Sequence, residues 1–139
     1  MINPFPTDRR GLEVLSRSEC ERLLGLAEIG RVALISAGEP LILPVNYRFD
    51  EGTVVFRTAT GEKLDAMVLR SPAAFQIDGW YPATRTGWSV LVRGNAEEVY
   101  NEKEIAALEG LGLVGWVPEV QPTVWVRIRP QDITGRRIS

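Results

Sequence analysis

The sequence predicts a mostly β, antiparallel barrel or sandwich of about six strands with two or three short helices. Three observations carry this. Six apolar, β-branched-rich segments (31–36, 41–49, 53–58, 73–78, 88–100 and 122–129) are short enough to be strands. Several of them follow one another through Gly-, Pro- or Asp-containing turns. Helical spacing occurs only in three short stretches, too few to place a crossover helix after each strand of a parallel sheet.

Residues 1–15 are polar and Pro-containing and are expected to form an extended arm. Ser18 and Glu21 have the spacing of a capping box. Cys20, Leu23, Leu24 and Ala27 follow at helical spacing and Gly30 stands as a stop, so a helix is predicted over 18–29 with Cys20 as a small core residue. At 31 the period changes to two, and 37–40 is a turn. Pro44 inside the strand 41–49 implies an edge or a bulge, because proline gives no donor to a ladder. Asp50-Glu51-Gly52 reads as a three-residue hairpin loop. A helix over 61–70, ended by Pro72, leads to the strand 73–78, and 79–87 is a loop. The long strand 88–100 has a bulge signal at Gly94-Asn95. Asn101 and Glu104 form a second capping box for a helix to about Leu111. A Gly/Pro-containing connector, 112–121, precedes the last strand. There, Val124, Val126 and Ile128 alternate with Trp125, Arg127 and Arg129, and 130–139 is a basic tail.

The 139 residues suit a single domain, 1–139, able to bury about 65–70% of the surface of its unfolded chain. Histidine is absent and cysteine occurs once. No Ser-His-Asp or Cys-His pair, no HExxH zinc site and no internal disulfide is therefore available, and no metal site is expected. Redox chemistry would have to come from a bound cofactor. Sixteen basic against eighteen acidic residues leave a net charge of −2, against a nucleic-acid-binding face. No apolar run reaches the ~20 residues of a membrane span. Residues 1–6 lack the pattern of a signal peptide. A cytoplasmic location is expected.

One segment has the character of a site. Phe56-Arg57-Thr58-Ala59-Thr60-Gly61-Glu62-Lys63-Leu64 runs from a strand into a predicted helix. The first turn of a helix presents unpaired N–H groups and the positive end of the dipole, so a lysine there is unfavourable unless an anion sits beside it. Those N–H groups, a threonine hydroxyl, Lys63 and Arg57 would together suit a phosphate. Neither GxxxxGK[ST] nor GxGxxG is present. The plainer alternative is a solvated Lys63 pairing with Glu62 or Asp65.

The order of motifs extends this reading. GRVAL (30–34), PVNYRFD (44–50), VVFRT with TGEKL (54–58, 60–64), GWSVLVRGNAEEV (87–99) and VWVRIRPQDITGRR (124–137) together resemble the pyridoxamine 5′-phosphate oxidase-like, FMN-binding split-barrel family, in its small bacterial branch. The resemblance covers about 12–138. It implies a six-stranded Greek-key split barrel and a homodimer with FMN in clefts at the interface. It implies that backbone around Pro44, Val45 and Asn46 faces the flavin ring, and that Phe56, Arg57 and Thr58 line the ring and ribityl chain. Gly61, Glu62 and Lys63 would hold the phosphate, and Ser89 would lie near the flavin. Trp88 or Trp125 would touch the cofactor, and Trp125 and Arg127 would reach across the dimer. Tryptophans, Trp80 and Trp116 included, are otherwise core or interface residues, and Arg93 beside Gly94 is a surface or interface ion-pairing residue.

The chain departs from the family's namesake enzymes in two places. They hold substrate with an arginine–histidine pair near the C-terminus, and 127–132 has no histidine; Asn46 stands where they carry a basic residue. The resemblance thus implies a flavin-dependent oxidoreductase acting on a small organic substrate other than pyridoxamine 5′-phosphate, with no catalytic side chain assigned. The alternatives are FAD or a deazaflavin as cofactor, the latter in a groove made basic by Arg57, Lys63, Arg85 and Arg127, or a non-catalytic cofactor-binding barrel.

Overall fold

The computed structural model describes residues 6–59, 71–114 and 123–139. In chain order these form β1 (Glu13–Val14), α1 (Arg17–Leu26), β2 (Ile29–Ser36), β3 (Glu39–Asp50), β4 (Thr53–Ala59), β5 (Ser71–Tyr81), β6 (Thr86–Glu98), α2 (Glu102–Glu109) and β7 (Thr123–Ile138). The helix expected over 61–70, most of the connector 112–121 and Trp116 lie outside the described residues. The sheet runs β1-β7-β4-β3-β2-β5-β6, every pair is antiparallel, and a β6–β7 ladder closes it on itself. The expected mostly β antiparallel barrel is therefore present, with seven strands rather than six. The seventh is β1, which pairs Glu13 and Val14 with Arg137 and Arg136 inside the stretch read as an arm.

Two tight turns set the first three barrel strands. Ala37 and Gly38 (φ 51° and 79°) and Glu51 and Gly52 (φ 48° and 78°) are two-residue loops with both residues left-handed, the primed turn that matches strand twist. Asp50 pairs with Thr53, so the second loop is two residues long, not three. β3 pairs with β4 only from Tyr47↔Phe56 to Asp50↔Thr53. Beyond Tyr47, β3 continues along β2 to Glu39, while β4 continues along β7 to Ala59. The two strands diverge there, and Pro44 falls on that edge, where its missing N–H costs no ladder bond.

The helix cap stands two residues earlier than the sequence predicts. Ser16, not Ser18, is the cap: its Oγ accepts from Glu19 N, and Ser18 lies inside the helix. Gly30 is not the stop; it lies in β2, where the Phe75 ring covers it so closely that a Cβ would sit 2.1 Å from the ring. α1 closes one end of the barrel with Cys20, Leu23 and Leu24. Gly135 of β7 lets it approach, since a Cβ there would lie 2.7 Å from Cys20 Sγ. Burial raises the Cys20 thiol pKa and keeps it neutral.

The barrel interior is filled by Val32, Leu34, Tyr47, Val54, Phe56, Phe75, Ile77, Val90, Val92, Val126 and Ile128. A second cluster, Val55, Val99, Leu108 and Trp125, lies outside the barrel beneath α2. Asn101 caps α2 through bonds from Lys103 N and Glu104 N, as expected, whereas the Glu104 carboxylate pairs with Arg127. Residues 79–81 and 86–87, expected in a loop, continue the β5–β6 hairpin. The basic tail continues β7 to Ile138. No helix among the described residues is long and apolar enough to cross a membrane.

Tyr47 ties helix to barrel. Its hydroxyl donates to Leu24 O at 2.6 Å, one of the carbonyls left over at the end of α1. Burial pushes the phenol far above the ordinary tyrosine value. Tyr47→Phe is expected to lose about 1–2 kcal/mol in urea unfolding, because the carbonyl stays buried without its donor. The folded pKa is raised, so this contribution is complete below about pH 10, the unfolded tyrosine value. Above it the unfolded state sheds the proton first, and stability falls by about 1.4 kcal/mol per pH unit. Tyr47→Phe should show a shallower alkaline decline; an identical one would remove Tyr47 as its source.

Candidate functional site

The outer face of β3-β2-β5-β6 carries the features that could meet a ligand. Inward residues alternate with outward ones along each strand. In β3, Val45 and Tyr47 point in, while Pro44 and Asn46 point out. In β6, Val90 and Val92 point in and Ser89 points out. Register places Asn46 opposite Ile29, and Ser89 opposite both Asp78 and Arg136. Asn46 and Ser89 thus share one face three strand spacings apart, ~14 Å around a convex surface.

At the β3–β4 divergence, Arg57 is the chief polar group. It points outward, opposite Trp125, with its guanidinium carbon 5.2 Å from the indole centroid. Nη2 donates to Thr123 Oγ1 at 2.9 Å and Nη1 reaches Glu109 at 3.5 Å. Nε is buried and has no acceptor among the described residues. The Trp125 indole N–H donates to Glu109, which fixes the plate on which Arg57 lies. Asn46 lines a neighbouring cleft of about 430 Å³ with Glu28, Arg48 and 112–114.

A second cleft, about 320 Å³, opens at the far end of β5, β6 and β7. It is lined by Leu12, Asp78, Gly79, Trp80, Gly87, Trp88, Ser89, Arg136, Arg137 and Ile138. Two glycines shape it. Trp88 lies against Gly79 and Trp80 against Gly87, so that a Cβ on either glycine would come within 2.8 Å of the facing ring. The arginines project from β7 because of a bulge. Arg93 pairs with Asp132 but Gly94 with Pro130, which leaves Gln131 as the extra residue. Before it, even-numbered Val126 and Ile128 point in; after it, odd-numbered Ile133 and Gly135 do, and Arg136 faces out.

The N-terminal stretch straps this end. The Asp8 carboxylate accepts from Arg10 N, Leu12 N and Arg136 Nε, and Glu13 accepts from Arg137 Nε. Partial desolvation pushes the Asp8 pKa up, but the Arg10 and Leu12 N–H groups and the Arg136 guanidinium outweigh it and hold the carboxyl below its ordinary value.

The residues expected at a cofactor site therefore divide. Pro44, Asn46, Arg57 and half-buried Thr58 lie about the β3–β4 divergence, and Trp88 and Ser89 line the distant cleft. Gly61, Glu62 and Lys63 lie outside the described residues. Phe56 and the side chain of Val45 belong to the barrel core, so neither offers a side-chain face to a ligand. Trp125 is 3% exposed beneath α2, with Arg57 stacked on its ring. Arg127 is held by Thr53 and Glu104 in the same layer. Arg85 stands in the β5–β6 turn with φ 53°. Trp80 is expected from sequence in the core or an interface, Gly87 in a loop, and Arg136 and Arg137 in a basic tail; the switch of apolar parity at Ile133 is the signal for the arginines. No group of three or more metal-ligating side chains occurs among the described residues.

This split barrel is one that other proteins share, and its lineage is readable. The family model described as pyridoxamine 5′-phosphate oxidase matches residues 16–137, and the chain belongs to that family. Among its relatives, the uncharacterized protein Rv0080 of Mycobacterium tuberculosis is 38% identical over 138 residues, 96% of this chain and 90% of the relative. A protein of known structure from Corynebacterium glutamicum is 36% identical with a TM-score of 0.81, over 92% of this chain and 98% of the other. The FAD binding protein from Mycobacterium smegmatis is also 36% identical, with a TM-score of 0.75 over 90% and 97% of the two chains.

Proposed function

We propose that this chain binds a flavin through its phosphate end beside the β3–β4 divergence and uses it as an oxidoreductase on a small organic substrate. The observation that carries the reading is Arg57. Its guanidinium is stacked, held at both terminal nitrogens and left with a buried, unpaired Nε–H. A buried donor without an acceptor is unusual, and a phosphate oxygen is an acceptor that would complete it. From Arg57 the chain runs on to Thr60, Gly61, Glu62 and Lys63, the segment whose composition suits an anion. Relatedness to an FAD binding protein makes FAD the first flavin to test and FMN the second. A bound flavin would supply hydride and electron transfer, for which this histidine-free chain has no side chain of its own. The protein's part is to orient: Arg57 and Lys63 at the phosphate, and backbone around Pro44 and Asn46 at the ring.

Two copies of the chain complete this reading. Ser89 lies too far around a convex face to meet a ring seated at Asn46 of the same chain. A second copy docked on that face would bring its own. Pyridoxamine 5′-phosphate is not the proposed substrate, since Arg136 and Arg137 have no histidine beside them.

Titration of FAD and FMN into the protein, followed by visible absorbance, tests the reading. Arg57→Met and Lys63→Ala should each weaken binding about tenfold or more, the worth of a charge-assisted bond. Wild type that takes up neither flavin at high micromolar concentration would overturn the proposal. Stopped-flow mixing of the loaded protein with NADH or NADPH should bleach the flavin; no reduction by any donor would leave a carrier, not an enzyme.

A further inference from the structure

We propose that the cleft at the end of β5, β6 and β7 is a binding site for a small planar aromatic carboxylate, with Arg136 as its anion-binding group and Asp8 as a built-in competitor. The walls suit a flat ring. Trp80 is half exposed and lies flat on Gly87, which has no side chain to lift it off the sheet. Ile138 and Leu12 supply the remaining apolar contact, and about 320 Å³ lies at the small end of the range for ligand pockets. The polar groups converge at one side, where Ser89 stands directly across the ladder from Arg136.

Arg136 is already engaged as a carboxylate receptor. Nε donates to Asp8 at 3.1 Å and Nη1 to Gly135 O at 2.9 Å, and no hydrogen bond from Nη2 occurs among the described residues. Asp8 therefore holds the Nε–H for which the carboxylate of a ligand in the cleft would compete, on a strap that also contributes Leu12 to the wall. Asp78, the other acid of the cleft, is turned to Arg31 and Gln76. Binding here is independent of flavin. If the flavin reading also holds, this cleft lies on the docking face and the aromatic acid is the substrate class.

Calorimetric titration of the protein as purified with 4-hydroxybenzoate and its neutral analogue 4-hydroxybenzamide tests the proposal. The acid should bind about tenfold tighter than the amide, and Arg136→Gln should abolish the difference. Asp8→Asn keeps an oxygen for the turn but removes the competing charge, and should tighten the acid about threefold to tenfold, a gain that misfolding cannot imitate. Equal affinity for acid and amide, or an unaffected Arg136→Gln, would overturn the site; an unchanged or weaker Asp8→Asn would overturn the competitor. Flavin titrations of the same variants keep failure here separate from failure of the flavin reading.

Discussion

Gly94→Ala should lower the stability of the fold by about 3 kcal/mol or more, although only a methyl group is added. The added Cβ would lie 2.0 Å from Arg129 O, 2.9 Å from the Arg129 carbonyl carbon and 3.2 Å from Pro130 Cα. All three are backbone atoms of the paired strand, so no side-chain rotation relieves the contact. The strand must move, and it is the one that closes the barrel: β7 pairs with β4 on one edge and β6 on the other. The register also shifts between Arg93 and Gly94, so strain there falls on the residue pair that sets which β7 side chains face inward. In urea unfolding the midpoint should fall by about 1 M or more with the slope unchanged. Arg93→Ala, exposed and one residue away, should change stability by about 0.5 kcal/mol or less. A Gly94→Ala midpoint equal to wild type would mean that β6 and β7 do not meet in this register.

The same bulge shows what the sequence could and could not convey. Gly94-Asn95 marks its location, since a glycine in a long strand signals either a bulge or a close approach. It does not reveal which strand carries the extra residue. That residue is Gln131, on the partner, and it reverses the parity of everything after it. Read with one fixed alternation, Val124, Val126 and Ile128 make a strand and 130–139 looks like a separate tail. Read with the parity switched at 131, Ile133 and Gly135 continue the inner face, and Arg136 moves to the outside. Hairpins and periods of two are local and therefore legible. Closure of β6 on β7, and the pairing of β1 with Arg136 and Arg137, depend on residues 28 to 51 and more than 120 positions apart, which no local pattern encodes.

The site was legible in its composition more than in its geometry. Lys63 stood out because a cation in the first turn of a helix needs an anion to justify it, and Arg57 followed as a second cation for that anion. Phe56, its neighbour, could not be separated from it by type alone; alternation sends one into the core and the other onto Trp125. The family resemblance alone offered Trp125 to a cofactor, whereas α2 covers it, and that cover follows from Leu108 meeting Val55 across long sequence separation. Trp80, expected in the core or an interface, is a cleft wall because Gly87 opposite it is bare.

Where two copies pair through the outer face, as proposed, Ile35→Glu combined with Ile42→Glu should leave a monomer and lower flavin affinity about tenfold or more at once. Both side chains stand on the outer face, 57% and 66% exposed. Ala33 and Ala74 lie beside them, forming with Pro40 a shallow apolar trough of about 500 Å³. Large exposed aliphatic residues around a floor of small ones make a surface that water leaves readily and that another flat face can cover. The trough lies on the face that also carries Asn46, Trp80 and Ser89. If that face is where two copies meet, one copy's Arg57 and Asn46 and the other's Ser89 are brought to a single ligand, and breaking the contact removes the second copy's binding group. Buried carboxylates without partners would prevent reassociation, since desolvating them costs more than the trough returns. Light scattering reads the first effect and flavin titration the second. A variant that remains dimeric would place the interface elsewhere. A monomer that keeps wild-type flavin affinity would show that a single barrel holds the whole site, and the role proposed for the second copy would fall while flavin binding stood.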